Sequence, residues 1–161
     1  MAGKTNPGAK ADTQMVQGLG AIVGCLLAPL VGARLGRRPA YFLLCLGSLI
    51  TCAIMFRAVT AFGPVFLLVS AAVSLTTASF YGWFPLYFPE LFPTRVRATG
   101  QGLAYNFGRV FAAGGALAQG ALVAHFHGSY PSAGAVVTMV YLAGMVLIWL
   151  APETKGKLLP A

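Results

Sequence analysis

The sequence predicts an all-α membrane protein with five transmembrane helices. Of its 161 residues, 58% are hydrophobic and only 9% are charged, and the mean hydropathy is +0.77. A soluble domain of this size has too little interior to hide that much apolar surface. The apolar runs are continuous rather than alternating, which excludes a transmembrane strand barrel.

Each apolar run with few or no charges that is long enough to cross about 30 Å of hydrocarbon, roughly 20 residues, is interpreted as one span. Together they form a bundle over residues 16–151, between a polar amino-terminal tail (1–15), interpreted as a remnant loop, and a carboxy-terminal tail (152–161). The predicted spans, in chain order, are residues 16–33, 40–58, 62–88, 98–124 and 132–151.

The basic residues predict the orientation of the bundle, because cytoplasmic loops carry an excess of Lys and Arg. One end holds Arg34, Arg37, Arg38, Arg95, Arg97, Lys155 and Lys157, whereas the other holds Lys4, Lys10 and Arg57. The first end is therefore predicted to be cytoplasmic. The carboxy terminus then lies inside and the amino terminus outside.

Two spans carry a small residue at every fourth position, which lets helix backbones approach closely in lipid. The first span has Gly20, Gly24, Ala28, Gly32 and Gly36, and the fourth has Gly100, Ala104, Gly108, Ala112, Ala116 and Gly120. Two interpretations explain the stripes equally well: tight packing within any membrane bundle, and docking onto another subunit. In the third span, Pro64, Pro85 and several Ser and Thr residues indicate either a wet path or kinked packing.

No enzyme chemistry is predicted. The carboxylates Asp12, Glu90 and Glu153 all lie at span ends or in tails, and no HExxH or GxSxG motif occurs. His125 and His127 lack a third ligand nearby, so no metal or other cofactor is expected.

The three cysteines, Cys25, Cys45 and Cys52, are interpreted as small packing residues within spans. The formal net charge is +8, but the cations form short clusters between apolar runs. Nucleic acid is therefore not an expected partner.

One cation, Arg109, lies in the interior of a predicted span rather than at its end. Arg109 comes 12 residues after Arg97, about 18 Å along a helix, which puts it near the middle of the membrane. An arginine there costs roughly 2.5 to 3.5 kcal/mol on insertion scales and is expected to face the bundle interior or a water-filled cavity. It could meet an anionic solute group, or form a fixed link to helix-end carbonyls or to a carboxylate of another segment.

Three motifs resemble the major facilitator superfamily. GARLGRRP (residues 32–39) resembles the basic loop between that family's second and third spans, repeated between the eighth and ninth. PELFPTRVRATGQGLAYNFGR (89–109) resembles its connection between the tenth and eleventh spans, and PETKG (152–156) resembles the signature after the twelfth in sugar-porter-like members. The run PTRVRATGQG followed by YNFGR is more similar to the metabolite:proton symporter branch.

The resemblance implies a partial carboxy-terminal half of a twelve-helix fold, spans 8 to 12, without the amino-terminal half. It implies alternating-access transport of a small organic solute, a sugar or an organic acid or other metabolite, with proton-coupled symport in a bacterial inner membrane. A different hypothesis is a membrane interaction protein or subunit that does not transport and docks through its small-residue faces.

In such a transporter, Glu90 is expected to pair with Arg37, Arg38, Arg95 or Arg97 and to latch one conformation. We expect a solvent-exposed pair worth about 0 to 1 kcal/mol, with Pro89 and Pro93 turning the chain beside it. The wider latch motif comprises Gly32, Arg34, Gly36, Arg37, Arg38, Glu90, Arg95, Arg97 and Glu153. The candidate substrate-binding residues are Tyr81, Trp83, Tyr105, Asn106, Arg109 and Gln119.

Overall fold

Residues 7–160 are described by the structure, a computed structural model, and every regular element within them is helical. The elements are α1 (Ala9–Leu35), α2 (Arg37–Ala58), α3 (Pro64–Leu91), α4 (Arg97–His125), α5 (Tyr130–Val137), α6 (Val140–Leu147) and a 3₁₀ turn (Ile148–Leu150).

The predicted all-α fold class is confirmed, because five helical segments are long and apolar enough to cross a membrane. Four are α1 to α4, and the fifth is the segment Tyr130–Leu150. Helix α1 begins at Ala9, inside the region predicted as tail. Lys4 and the rest of residues 1–6 lie outside the described residues, as does Ala161.

The fifth span is interrupted between α5 and α6 at Thr138 and Met139. There, Met139 N–H donates to Val136 O and Tyr141 N–H to Thr138 O, which are the i to i+3 bonds of a tighter helical turn. The Thr138 hydroxyl donates to Ala135 O at 2.8 Å. Local side-chain bonding of this kind satisfies backbone groups where a span departs from regular α-helix.

Pro89 does not turn the chain, contrary to expectation. Helix α3 continues through Pro85 and Pro89 and ends at Leu91, so only Pro93 lies in the connection to α4. A proline removes one backbone donor, and in a membrane helix neighbouring groups can compensate for this loss. The apolar sequence around Pro89 therefore extends the helix by almost one more turn.

Helices α1 and α3 pack directly against each other, and each helix contributes glycine to the contact. A Cβ atom built on Gly20 would lie 2.4 Å from Ala71 O, and one built on Gly24 would lie 2.1 Å from Leu75 O. In the opposite direction, a Cβ on Gly82 would lie 2.1 Å from Cys25 O. Only glycine permits this approach, so the stripe of the first span is a packing face within the chain.

Helix α4 has the same kind of stripe but does not use it within the described residues. None of its residues is buried, and a Cβ built on Gly108 or Gly120 would meet no atom within 4 Å. By contrast, a Cβ on Gly100 would lie 2.5 Å from the ring of Phe92, just before the helix. Helix α4 is therefore a peripheral helix that touches the bundle along one side.

Candidate functional site

Arg37 and Glu90 join the first turn of α2 to the last turn of α3. Arg37 Nε donates to Glu90 Oε2 at 2.9 Å, and Arg37 NH2 donates to Glu90 Oε1. The Glu90 carboxylate therefore accepts two hydrogen bonds from the guanidinium, and this bidentate pairing is strong and geometrically specific. The remaining nitrogen, NH1, donates to Gly32 O at the end of α1. One arginine thus links three helix ends.

The expected solvent exposure of this pair is wrong. The side chains of Arg37 and Glu90 are only 10% and 16% exposed. The Thr154 hydroxyl, in the carboxy-terminal tail, donates to Glu90 Oε2 at 2.5 Å and covers the pair. Removal of one partner would leave the other charge largely buried without its counter-ion, which costs more than breaking a surface ion pair does.

Glu153 caps the amino terminus of α2 from the far end of the chain. Its Oε1 accepts hydrogen bonds from the N–H groups of Arg37, Thr154 and Lys155, and its Oε2 accepts one from Arg38 N–H. Partial burial opposes ionisation of this carboxyl, but the four backbone donors outweigh burial and lower the pKa of Glu153 below its ordinary value. The negative charge also complements the positive end of the helix dipole.

Gly36 makes room for this cap. It separates α1 from α2, has a φ of 106°, and offers no side chain to its own helix. A Cβ at this position would lie 3.0 Å from Glu153 Oε2, and the left-handed backbone disfavours any other residue. The glycine therefore permits both the sharp junction and the approach of the carboxylate.

Other basic residues tie the same end of the bundle to the tail. Arg38 Nε donates to Ala151 O, Lys155 Nζ to Arg34 O, and Arg97 NH2 to Pro160 O at 3.0 Å. Arg95 lies exposed in the turn before α4. The basic residues that the sequence predicts at one end of the bundle therefore lie together at one end of the structure.

A cavity of about 490 Å³ lies among α2, α3, α4 and α6. This volume suits a small organic molecule. Its walls are largely aromatic, and its lining residues are Tyr41, Thr77, Phe80, Tyr81, Phe84, Phe88, Ala104, Tyr105, Gly108, Arg109, Ala112, Val140, Tyr141 and Gly144. A second cavity of about 430 Å³ shares several of these residues and extends to Ala98 and Gln101, at the beginning of α4.

Arg109 supplies the positive charge of the larger cavity. Its Cζ atom lies 5.8 Å from the centroid of the Tyr105 ring, within the range of a cation–π contact. Within residues 7–160, Arg37–Glu90 is the only ion pair, so no described carboxylate neutralises Arg109. Neither of the fixed links considered from the sequence is formed by Arg109 within the described chain.

The structure brings together three of the six candidate substrate-binding residues. Tyr81, Tyr105 and Arg109 line the larger cavity. Trp83 is instead only 2% exposed in the hydrophobic core, packed at 4.6 Å between ring centroids against Tyr87. The remaining two are exposed on α4 and line neither cavity: Asn106, whose amide donates to Gly102 O, and Gln119.

Sequence reasoning missed the aromatic residues that form most of the cavity wall. Phe80, Phe84 and Phe88 follow one another at four-residue spacing on α3, which places them on one helix face. Their rings form a ladder, with Phe84 and Phe88 stacked at 5.0 Å between centroids. The spacing was a usable signal, but such a stripe more often faces lipid or a core than a cavity.

The chain is similar to transport proteins, although no family model matches it. A provisionally named metabolite transport protein of Haemophilus influenzae is 28% identical over 141 residues, covering 87% of this chain and 34% of that protein. A provisionally named 4-methylmuconolactone transporter of Cupriavidus pinatubonensis is 27% identical over 150 residues, covering 92% of this chain and 34% of that protein. A further H. influenzae protein, also provisionally named for metabolite transport, is 38% identical over 79 residues, which is 49% of this chain and 17% of that protein.

The chain therefore spans about a third of the length of the curated relatives it matches along most of its own length. The five apolar helices and these relatives together support an integral, multi-pass membrane protein.

Proposed function

We propose that this chain forms part of a secondary transporter of the major facilitator superfamily and contributes one wall of its solute pathway. The observation that carries the proposal is the 490 Å³ cavity, with the mid-span residue Arg109 in its lining. The similarity to metabolite transport proteins adds independent support. In this proposal the substrate is a small organic metabolite, and the remaining wall is supplied by helices outside this sequence.

The hydrogen-bond network at the amino-terminal end of α2 would act as a conformational latch. Arg37 and Glu90 connect two helix ends, and Thr154 and Glu153 attach the tail to the same place. If the halves of a transporter rock about the central cavity, contacts at this end favour one state and must loosen in the other. We place this end in the cytoplasm of a bacterial cell, with the carboxy terminus inside, because the cations cluster there.

Proton-coupled symport is the transport mode that the sequence resemblance implies. No Asp or Glu lines the larger cavity within residues 7–160. A coupling carboxylate would therefore belong to the helices that complete the pathway.

A second candidate is a non-transporting subunit that docks on another membrane protein. The observation that favours it is the unburied small-residue face of α4. This face also lines the larger cavity, at Ala104, Gly108 and Ala112. A docked helix would fill that part of the cavity, whereas a transporter requires it to be open to solute.

Uptake measurements distinguish these functions. Cells that carry the native locus are compared with cells in which it is deleted, across radiolabelled organic acids, sugars and amino acids. Transport predicts that deletion lowers the initial uptake rate of at least one solute, and that restoring the locus restores this rate. Equal uptake of every solute, together with co-purification of a stoichiometric membrane partner, would support the docking subunit instead.

A further inference from the structure

We propose that the exposed cations at the tail-bearing end of the bundle bind the headgroups of anionic phospholipids in the leaflet that this end faces. These cations, here called the cationic patch, are Arg34, Arg95, Lys155 and Lys157, and all of them are exposed. The inference goes beyond transport, because a transporter and a docking subunit would both present this end of the bundle to lipid.

The cationic patch differs from the other basic residues of this end because its charges are not used within the fold. The guanidinium groups of Arg37, Arg38 and Arg97 all donate to other residues of the bundle or the tail. Within residues 7–160, by contrast, the side chains of the patch donate a single hydrogen bond, from Lys155 Nζ to Arg34 O. An ammonium has three N–H donors and a guanidinium has five, so most donors of the patch are available to a ligand.

No exposed carboxylate at this end of the described chain neutralises the cationic patch. Asp12 lies in the first turn of α1, at the opposite end of the bundle. Glu90 is paired with Arg37, and Glu153 accepts hydrogen bonds from backbone N–H groups around the start of α2. The positive potential of the patch is therefore directed at an anion from outside the chain.

The cationic patch lies where the helices leave the hydrocarbon. Arg34 is the penultimate residue of α1, and Arg95 lies in the turn before α4 begins at Arg97. Trp149, which is about half exposed, lies at the same end of the fifth span, and tryptophan is enriched at the membrane–water interface. Lipid phosphate groups at this level are within reach of long basic side chains, which anionic lipids attract.

Exposed apolar residues beside the cations favour a lipid over a water-soluble anion. Three members of the patch are each followed in the sequence by an exposed apolar residue, namely Leu35, Val96 and Leu158. Leu158 is 97% exposed. Contact with acyl chains removes such surface from water, whereas a free phosphate or an acidic soluble protein offers no acyl chain. Headgroup and acyl chain together match the paired cations and apolar side chains.

Spin-labelled lipids measure this preference. The purified chain is reconstituted into phosphatidylcholine vesicles that contain a trace of spin-labelled phosphatidylglycerol or of spin-labelled phosphatidylcholine. Electron paramagnetic resonance then gives the relative association of each lipid from its motionally restricted fraction. We expect phosphatidylglycerol to associate about threefold more strongly or better, because each nearby Lys or Arg attracts an anionic headgroup. Screening by about 1 M NaCl should bring the ratio of the two lipids close to one.

Matched double variants locate the binding surface. Arg95→Gln/Lys157→Gln removes two charges without breaking a hydrogen bond of the described chain, and it should lower the ratio about twofold or more. Arg95→Lys/Lys157→Arg keeps both charges and should retain the ratio. Lys10→Gln/Arg57→Gln removes two exposed cations from the opposite end and should leave the ratio unchanged. Circular dichroism checks that all variants have equal helix content.

Three results would overturn the proposal. Equal association of the two lipids, or a ratio unchanged by Arg95→Gln/Lys157→Gln, would mean that these cations serve only to orient the chain. An equal loss in Lys10→Gln/Arg57→Gln would move the lipid preference away from the cationic patch. Equal association of the lipids, together with salt-sensitive binding of polyglutamate to the same vesicles, would assign the patch to an acidic protein partner instead.

Discussion

The guanidinium of Arg37 and the carboxylate of Glu90 meet at the junction of three helix ends, and both side chains are largely buried. Glu90→Gln keeps the size of the side chain but leaves the arginine without its charge partner. We expect the free energy of unfolding to fall by about 3 kcal/mol, because an unpaired buried charge is costly. Denaturant titration in lipid nanodiscs measures this change.

Asp12→Asn is the matched control, since Asp12 is an exposed carboxylate in the first turn of α1. A latch role adds a second expectation, namely that Glu90→Gln alters the accessibility of cysteine probes at this end of the bundle. Unchanged stability, uptake and accessibility would show that the pair neither stabilises the fold nor acts as a latch.

The cap formed by Glu153 predicts a dependence of stability on pH. The pKa of this carboxyl is lower in the folded chain than its ordinary value, so folding favours the ionised form. Its stabilising contribution is fully present above the ordinary pKa of a glutamate and is lost as pH falls through the lowered pKa of the folded state. Glu153→Gln should therefore lower the melting temperature at pH 7, and the difference from wild type should shrink in acid. A difference that stays constant with pH would contradict the cap.

Glycine contacts between α1 and α3 predict a sharp contrast within one helix. Gly24→Ala places a Cβ against the backbone oxygen of Leu75 and should destabilise the chain by about 1 to 3 kcal/mol. Gly18→Ala, on the same helix with no atom within 4 Å of the added carbon, should be neutral or slightly stabilising. Thermal unfolding monitored by circular dichroism compares the two, and equal effects would rule out close packing at Gly24.

The open face of α4 predicts a variant that alters function but not folding. Gly120→Leu should leave the unfolding of this chain unchanged, since no described atom lies near the added side chain. It should nevertheless reduce uptake, or capture of a docked partner, by obstructing close approach of another helix. Gly114→Leu, on a different face of α4 and equally open, is the control. Wild-type behaviour of Gly120→Leu in both assays would remove the docking role of this face.

Orientation in the membrane is tested by labelling. In a background whose native cysteines are replaced by alanine, Arg95→Cys and Lys155→Cys should react with an impermeant thiol reagent from the same face of sealed vesicles. Arg57→Cys should react only from the opposite face. Labelling of Arg95→Cys and Lys155→Cys from opposite faces would contradict the five-span topology.

Hydropathy was sufficient to predict the five spans, and the positions of the basic residues were sufficient to predict that most of them lie at one end of the bundle. Both features depend on local composition. Composition could not predict which arginine pairs with Glu90, because four arginines were candidates. Only the packing of the helices places the guanidinium of Arg37 against the Glu90 carboxylate and buries both side chains. The cap by Glu153 joins residues 116 apart along the chain. A sequence signal did exist for it, since Gly36 gives α2 no side-chain cap of its own and its first N–H groups need an outside acceptor.

Helix α4 is the least apolar of the five spans, and it contains Arg109. As it emerges from the ribosome, such a segment partitions into lipid less readily than its four companions. We therefore expect α4 to remain beside the translocon until another helix packs against its exposed small-residue face. The order of synthesis of the neighbouring segments would then govern how efficiently the whole protein is inserted.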